Sequence, residues 1–305
     1  MKIHHTLKRE SGAPIVLAIG FFDGFHRGHQ AIVRKLRTLR KPGYRTAVLT
    51  FANHPAAYLR PGTEPALITT PEERIDLIAE AAIEECFFVP FDESIASLTP
   101  QQFVDDILVR DLQARAVVVG ANFRFGKGRA GDTTLATAAL QAHGVPFVAL
   151  ENSVEEGERI SSTRIRGLIA NAKMYEAEAL LGHAFELRGR VILGAGRGHD
   201  LNFPTANIAL HVQKILPPDG VYAGVARHDG RDHACLVSIG TNPTFGGTAR
   251  TIEAWLRDFN ETIYGQELAV RDLRFVRDQV RFDSVEALLE QMEHDLAAVA
   301  YPSYG

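Results

Sequence analysis

An apolar pentapeptide, a glycine-rich turn and an amphipathic segment constrain the fold more than any other part of this sequence. Ile15–Ile19 is short and apolar enough for a buried parallel strand. After the turn, Ile32, Val33, Leu36 and Leu39 recur at the spacing of one helix face. The stretch between them, GFFDGFHRGHQ, is therefore predicted to be a strand-to-helix crossing, where α/β sheets usually bind ligands.

Two histidines stand in this crossing. His26 and His29 are three residues apart, with Gly28 between them. At the first turn of a helix this spacing places both imidazoles on one side, and the helix amides there favour anions such as phosphates. Two other interpretations stay open: a pair of surface histidines, and a zinc site, for which no Cys or His with ligand spacing supplies a third group nearby.

Composition narrows the class of protein. The length of 305 residues suggests about two domains, and the formal charge of −4 argues against a general nucleic-acid or acidic-membrane surface. Cys86 and Cys235 stand apart from any CxxC pattern, which is typical of buried thiols in a reducing cytosol. No signal-peptide core and no run of 18 apolar residues is present. We therefore expect a soluble cytoplasmic protein.

The first half alternates between strand-like and helix-like segments. Thr70 and Thr99 each precede a proline and stand three residues before Glu or Gln, as in a capped helix start, and Asp132 is predicted to cap a further helix. This alternation predicts a doubly wound parallel sheet. Its predicted strands are Ile15–Ile19, Thr46–Phe51, Cys86–Val89, Ala116–Val119 and Pro146–Leu150.

The second half has a different pattern of segments, with short strands and turns in place of alternating strands and helices. Short β-rich pieces between residues 186 and 280 are separated by Gly, Pro and Asp turns, and Asp229-Gly230 is typical of a tight hairpin. Such strands without intervening helices predict a small antiparallel barrel. Ser284 is predicted to cap a C-terminal helix that packs on the barrel. Its apolar stripe comprises Val285, Leu288, Leu289, Met292, Leu296 and Val299.

Three further segments fall at the carboxyl edge of the predicted sheet. GANFRFGKGRAG, residues 120–131, follows a strand and carries Arg124, Lys127 and Arg129; a solvated basic turn is the other interpretation. ISSTRIR contains Arg164, which is suited to a bidentate phosphate contact, although helix capping alone explains its serines. TFANHP ends the second strand with His54.

These four stretches carry a resemblance. The HxGH pair between strand and helix resembles the nucleotidyltransferase branch of the HIGH-type adenylating enzymes. The longer string FDGFHRGH, with the other three segments in the same order, resembles the bacterial bifunctional riboflavin kinase/FMN adenylyltransferases. The resemblance implies a HIGH-type, Rossmann-like FMN adenylyltransferase domain over residues 1–183. A riboflavin kinase domain over residues 184–305 would follow.

The resemblance implies roles for residues of the first domain. His26 and His29 would be catalytic, and His54 and Pro55 would shape the flavin pocket. FMN phosphate is already anionic, so no general base is required, and catalysis would be positioning and charge stabilisation. The implied ATP-binding residues are Phe21, Asp23, Gly28, Asn122, Arg124, Ser162, Thr163 and Arg164.

The second half contains the family's kinase signature. PTAN follows a Gly-rich loop, and in an extended chain Thr205 and Asn207 point the same way and offer oxygen ligands for Mg²⁺; taken alone, an ordinary polar turn explains them. The resemblance makes Glu253 the base for the riboflavin hydroxyl. The family commonly has Gly where this chain has Asn202. Further implied contacts are Gly194, Gly196 and Gly198 with ATP, and Tyr222 and Asn242 with flavin.

We therefore expect an enzyme that makes FMN from riboflavin and then FAD from FMN, using ATP and Mg²⁺ in each step. Three alternatives remain: an enzyme with one active module, a flavin carrier without turnover, and an RNA-associated protein, which the acidic balance disfavours. The expected partners are small molecules, with no nucleic acid and no membrane. Self-association stays open.

Overall fold

The computed structural model describes residues 1–9, 12–151, 153–155, 157–193, 205–241, 250–280, 282 and 284–297. The chain forms two compact units, Met1–Ser162 and Thr163–Gly305. The sequence-based boundary between residues 183 and 184 concerns function rather than compactness, and it stays a prediction.

A six-stranded parallel sheet lies at the centre of the first unit. Its strand order is β1-β4-β3-β2-β5-β6, and all five predicted strands are confirmed, with bounds shifted by one or two residues at most. Strand β1 was not predicted, because it is a three-residue, largely exposed strand with no alternating pattern. The strands are β1 (Lys2–His4), β2 (Ile15–Ile19), β3 (Arg45–Phe51), β4 (Glu85–Val89), β5 (Ala114–Gly120) and β6 (Phe147–Leu150).

Helices cover both faces of this sheet, as a doubly wound fold requires. Leu17 belongs to one buried cluster and its neighbours Val16 and Ala18 to another, because successive side chains of a strand point to opposite faces. The helices are α1 (Arg27–Thr38), α2 (Pro55–Leu59), α3 (Pro71–Glu80), α4 (Glu93–Ala96), α5 (Pro100–Gln102), which continues as a π-helix over Phe103–Asp111, and α6 (Thr133–Ala142).

The direction of winding reverses beside β2. The chain continues from β2 to β3 on one side, and β5 lies on the other side. The crevice outside the carboxyl ends of β2 and β5 is therefore the topological switch point, where open α/β sheets bind ligands.

The predicted helix starts are confirmed in detail. Thr70 and Thr99 form capping boxes with Glu73 and Gln102, and the Asp132 side chain accepts a hydrogen bond from the Leu135 amide. Helices with such caps begin at a fixed residue, because the cap side chain accepts hydrogen bonds from backbone amides that have no partner within the helix. The segments at the sheet edge are thus placed by local chemistry.

A closed antiparallel barrel dominates the second unit and confirms the predicted β domain. The strand order is β10-β13-β12-β11-β14-β9. The first unit also has a short hairpin, β7 (Val154–Glu155) and β8 (Glu158–Arg159). The barrel strands are β9 (Glu186–Ile192), β10 (Thr205–Ala209), β11 (Gly220–His228), β12 (Arg231–Thr241), β13 (Arg250–Leu256) and β14 (Glu267–Arg277).

Two turns of the second unit follow the sequence signals. Asp229 and Gly230 form the two-residue connection between β11 and β12, and both have positive φ, 46° and 75°, as a type I′ turn requires. At the C-terminal helix, Ser284 Oγ accepts a hydrogen bond from the Ala287 amide at 3.2 Å. Both predictions are confirmed.

Three helices lie in the described part of the second unit: α7 (Ser162–Ile169), which begins at the last residue of the first unit, α8 (Met174–Leu181) and α9 (Val285–Ala297). Leu288, Met292 and Leu296 of α9 pack against the barrel residues Val221, Ala223 and Leu236, so the predicted stripe does pack on the barrel. The side chains of Val285 and Val299 lie outside the described part of the chain. No helix in the described ranges has both the length and the apolar character needed to cross a lipid bilayer.

Candidate active sites

The turn between β2 and α1 has a strained backbone. Phe22 and Phe25 have positive φ angles of 56° and 35°, a region that bulky side chains rarely adopt. Both rings are buried in the same core cluster, at 0% and 4% exposure. Such strain persists only where the surroundings over-determine the conformation. Packing of these two rings is one part of that support.

The side chain of Asp23 is the second support for the strained turn between β2 and α1. Its carboxylate is 2% exposed and accepts hydrogen bonds from the backbone amides of Ile68 and Thr69, each at 3.0 Å. The Thr69 hydroxyl also donates to it and accepts from the Gly24 amide at 3.0 Å. Asp23 therefore ties the turn to the segment before α3. Its contact with ATP stays a prediction.

Replacing Asp23 by Asn is expected to lower the unfolding free energy of the protein by about 1–3 kcal/mol, because one oxygen that accepts from buried amides becomes a donor facing them. Urea unfolding of the ligand-free protein, followed by circular dichroism, measures this loss. Asp132→Asn is the matched control, since Asn caps a helix as well as Asp does. An Asp23→Asn protein as stable as that control contradicts the anchoring role.

The two histidines of the motif lie against each other. His26 is the N-cap of α1, and its Nδ1 accepts a hydrogen bond from the His29 amide at 3.4 Å. The rings stack with centroids 3.7 Å apart at 16°, so the predicted placement on one side of the helix is confirmed. A Cβ at Gly28 would lie 3.0 Å from His26 Cε1. Gly28 thus leaves room for the His26 ring.

Burial and neighbouring positive charges keep His29 uncharged at neutral pH. Burial, then the neighbouring His26, and then Arg74 lower the pKa of His29 well below its ordinary value. The Nδ1 atom of His29 is buried without a hydrogen-bond partner among the described residues. A neutral imidazole at the amino end of a helix can donate a hydrogen bond to an anion without carrying a full charge. The pair is therefore suited to charge that develops on a phosphate.

The next strand end brings His54 to the same edge of the sheet. His54 is the N-cap of α2, where its Nδ1 accepts from the Ala56 amide at 3.1 Å, and Pro55 begins the helix. The His54 ring meets Phe21 edge-on, with centroids 4.6 Å apart. The turn after β2 and the turn after β3 are thus joined by an aromatic contact.

An aromatic cavity lies at this carboxyl edge. It has a volume of about 270 Å³, and Pro55, Asn122 and Arg124 are among its lining residues. Arg124 forms an ion pair with Asp132 at 3.1 Å. Apolar walls with a few polar groups are typical of sites for aromatic ligands. The other walls include Phe51, Leu59, Phe91, Phe103, Phe123 and Phe125.

Sequence reasoning missed these walls, although a signal was present. Phe51 ends β3, Phe91 follows β4, and Phe123 and Phe125 follow β5. Parallel strands bring such residues together at one edge. A phenylalanine after each of several strands was the pattern that would have indicated the cavity.

The helix α7 carries three more predicted ATP-binding residues. The Ser162 hydroxyl donates to the Asp23 carbonyl at 3.0 Å, so Ser162, the last residue of the first unit, contacts the histidine turn. Thr163 and Arg164 follow in the same helix but belong to the second compact unit. Their contacts with ATP stay predictions.

The barrel brings the predicted kinase residues together. Asn207 of β10 lies directly opposite Glu253 of β13, and Thr205 lies opposite Trp255. Facing residues of an antiparallel pair are close neighbours on one face. The other face of β13, with Ile252 and Ala254, is buried. The structure therefore places the carboxylate, the amide and the hydroxyl on the outer face of the barrel.

Other predicted residues of this unit are placed differently. Tyr222 is fully buried, and its hydroxyl donates to the Pro218 carbonyl at 2.8 Å; burial raises the pKa of Tyr222 to about 12. Its contact with flavin stays a prediction. The predictions for Gly194, Gly196, Gly198, Asn202 and Asn242 concern positions outside the described residues.

Comparison with known proteins identifies the family. The FAD synthetase model matches residues 8–164, and the riboflavin kinase model matches residues 181–301. A bifunctional riboflavin kinase/FMN adenylyltransferase of Listeria monocytogenes is 36% identical over 299 residues, which cover 96% of this chain and 94% of the relative. The chain belongs to the bifunctional riboflavin kinase/FMN adenylyltransferase family.

Further members of the riboflavin kinase/FMN adenylyltransferase family match nearly as well. The Escherichia coli protein is 36% identical over 95% of this chain and 93% of its own length, and the Bacillus subtilis protein is 35% identical over 96% and 93%. A crystal structure described as a macrolide-efflux protein from Streptococcus pneumoniae superposes with a TM-score of 0.85. It is 30% identical and covers 98% of each chain. That structure has the same fold over nearly the whole length.

Proposed function

We propose that this chain phosphorylates riboflavin to FMN in its barrel unit and transfers an adenylyl group from ATP to FMN in its parallel-sheet unit, giving FAD and pyrophosphate. One observation carries the proposal: a stacked histidine pair at a helix amino terminus, of which His29 is uncharged at neutral pH, lies in the same unit as an aromatic cavity, at the switch point of the sheet. A phosphate-binding group and a ring-binding cavity are what a flavin nucleotide needs.

In the kinase step, Glu253 accepts the proton of the riboflavin 5′-hydroxyl while that oxygen attacks the γ-phosphorus of ATP. The bond from the γ-phosphorus to its bridging oxygen breaks, and ADP leaves. Asn207, directly opposite Glu253, and Thr205, on the same strand, hold the ATP phosphates beside the base. Phosphoryl transfer of this kind depends mainly on positioning and charge stabilisation, with an acidic residue to take the proton.

In the adenylyl-transfer step, a phosphate oxygen of FMN attacks the α-phosphorus of ATP, and the bond to the pyrophosphate oxygen breaks. His26 and His29 donate to phosphate oxygens that gain charge. Asn122, Ser162, Thr163 and Arg164 complete the ATP site. The isoalloxazine ring occupies the aromatic cavity, with His54 and Pro55 at its edge.

The residues present fit Mg²⁺ that arrives with ATP. No group of three or more His, Cys, Asp or Glu side chains capable of holding a metal occurs among the described residues. Thr205 and Asn207 supply two neutral oxygens, and Mg²⁺ usually takes one or two protein oxygens together with phosphates and waters. Bound in this way, Mg²⁺ would neutralise charge on the phosphates.

Incubation with riboflavin, ATP and Mg²⁺, followed by chromatographic separation of the flavins, tests the proposal. We expect FMN to appear first and FAD to follow. FMN alone would mean that the histidine site is inactive or serves another acceptor. Riboflavin that stays bound and unconverted would replace the proposed function by that of a flavin carrier.

Three finer statements belong to the same proposal. The functional division lies between residues 183 and 184, close to residue 181, where the riboflavin kinase match begins. The two cysteines are free and buried, which supports a place in a reducing cytosol. The partners are ATP, riboflavin and FMN rather than nucleic acid, in keeping with the net charge of −4.

A further inference from the structure

Arg74 of α3 is a buried cation that the proposed reaction does not use. Its side chain is 0% exposed, and it is one of the largest fully buried side chains in the described part of the chain. None of the described carboxylates lies within ion-pair distance of its guanidinium. A buried charge without a paired anion costs several kcal/mol, roughly, in folding free energy. A cost of this size points to a role for Arg74 beyond packing.

The guanidinium connects three segments of the first unit. Nη1 donates to the carbonyl of Phe21 at 3.1 Å, and Nη2 donates to the carbonyl of Phe51 at 2.8 Å. Phe21 follows β2, Phe51 ends β3, and Arg74 itself lies in α3. The planar fork of an arginine suits two fixed acceptors of this kind. Arg74 thus holds two strand ends at the switch point of the sheet.

The same group lies over an aromatic ring of the site. The Arg74 Cζ is 4.2 Å from the centroid of the Phe21 ring, and Phe21 in turn meets His54 edge-on at 4.6 Å. A guanidinium over a ring face is attracted by the ring quadrupole, more strongly when both are desolvated. Arg74 therefore fixes the orientation of Phe21 and, through it, the position of His54.

The backbone that Arg74 holds leads directly into the strained turn. The Phe21 carbonyl accepts from Arg74 and also from the Thr50 hydroxyl at 2.9 Å. The next residue, Phe22, has the positive φ of 56°. Two hydrogen bonds to the carbonyl before a strained residue help to over-determine its conformation. The start of α1, with its histidines, depends on this turn.

Arg74 also acts on the site through its charge. Burial lowers the pKa of Arg74 to about 10, so the side chain stays cationic at neutral pH. Its charge is one of the causes that lower the pKa of His29. The Arg74 charge interacts with the nearby Asp23 carboxylate. A cation in a low-dielectric interior acts over a longer distance than a surface charge does. Phosphate groups bound at the same turn would experience the same positive potential.

We propose that Arg74 is a positioning residue for adenylyl transfer, which braces the turn carrying Phe21, His26 and His29 and supplies a fixed positive charge to that turn. The inference rests on the proposed function for its catalytic consequence. Its effect on His29 is a property of the ligand-free protein.

Two substitutions separate the hydrogen bonds of Arg74 from its charge. Arg74→Met removes both, and Arg74→Lys keeps the charge but loses the paired hydrogen bonds of the guanidinium to the carbonyls of Phe21 and Phe51. With FMN and ATP supplied, we expect kcat for adenylyl transfer to fall about 10²-fold in Arg74→Met and about 10-fold in Arg74→Lys, since misplacement by about 1 Å costs up to that much. Riboflavin phosphorylation by the same samples should be unchanged.

Titration of His29 followed by NMR gives a readout that needs no activity. We expect the pKa of His29 to rise in Arg74→Met, because a nearby positive charge is removed, and to stay at the wild-type value in Arg74→Lys. If Arg74→Met does not fold, Arg74→Lys tests the proposal alone. We then expect kcat for adenylyl transfer to fall while the pKa of His29 stays at its wild-type value.

Arg9→Met is the matched control. Arg9 is also a buried arginine of the first unit, but it pairs with Glu85 at 3.0 Å, at the first residue of β4 and thus at the other end of the sheet. We expect Arg9→Met to lower the stability of the protein without changing kcat or the His29 titration.

An Arg74→Met variant with adenylyl-transfer activity within twofold of wild type overturns the proposal. So does an equal loss of kcat in all three variants with His29 unshifted, which would indicate structure alone. A wild-type protein that makes no FAD would refute the proposed function, while the titration would still test Arg74.

Discussion

Replacing Glu253 by Gln is expected to lower the turnover of riboflavin phosphorylation about 10²–10⁴-fold, the range for a lost general base. Gln keeps the size and hydrogen-bonding shape of the side chain but cannot accept the proton of the 5′-hydroxyl. Glu253 lies directly opposite Asn207, to which the proposed function assigns the ATP phosphates. Initial rates of FMN formation at saturating ATP measure it.

The form of the loss is as informative as its size. A group that acts only in the transition state lowers kcat and kcat/KM equally, so the KM for riboflavin should stay near its wild-type value. Adenylyl transfer from supplied FMN, in the same sample, should be unaffected. Glu261→Gln, at an exposed position of the same unit, is the matched control. Unchanged kinase turnover in Glu253→Gln would rule out the base role.

Replacing His29 by Ala is expected to lower adenylyl transfer about 10²–10³-fold, the effect of one preorganised donor. The stacked His26 ring loses its neighbour in this variant, so His29→Gln, which keeps a donor, is the informative companion. We expect it to recover part of the rate. The measurement is FAD formation from FMN and ATP, with riboflavin phosphorylation as the internal standard.

The pH dependence has a definite sign. Because the pKa of His29 lies well below its ordinary value, the ring is already uncharged at neutral pH and gains a proton only in more acidic solution. Wild-type adenylyl transfer should therefore show no loss attributable to His29 between about pH 6.5 and 8. His143→Ala removes an exposed histidine that pairs with Asp105 and serves as the control.

A His29→Ala variant that transfers the adenylyl group at more than half of the wild-type rate would remove His29 from the mechanism.

Local signals predicted the elements of this protein well. Thr70 and Thr99 started their helices where the capping boxes placed them, and Asp229-Gly230 turned the hairpin. Each of these features depends on residues within a few positions of one another. Such interactions can be recognised in the sequence because the partners are neighbours in it.

The parts that escaped prediction depend on distant partners. In the sequence, Arg74 has the appearance of a charged residue on an amphipathic helix, and nothing nearby indicates that the carbonyls of Phe21 and Phe51 lie within reach. The Asp23 carboxylate is likewise satisfied by Ile68 and Thr69. Only the order of the strands brings these groups together, and a single sequence does not contain that order.

Closure of the barrel has a consequence for synthesis on the ribosome. The strand β14, which ends at Arg277, lies between β11 and β9, so the ring of strands stays open until this late segment has emerged. The last strand of the parallel sheet, β6, ends at Leu150. Because domains generally fold as units during translation, the sheet can form while the barrel is still incomplete. The nascent chain thus holds a folded adenylyl-transfer unit well before it holds a kinase.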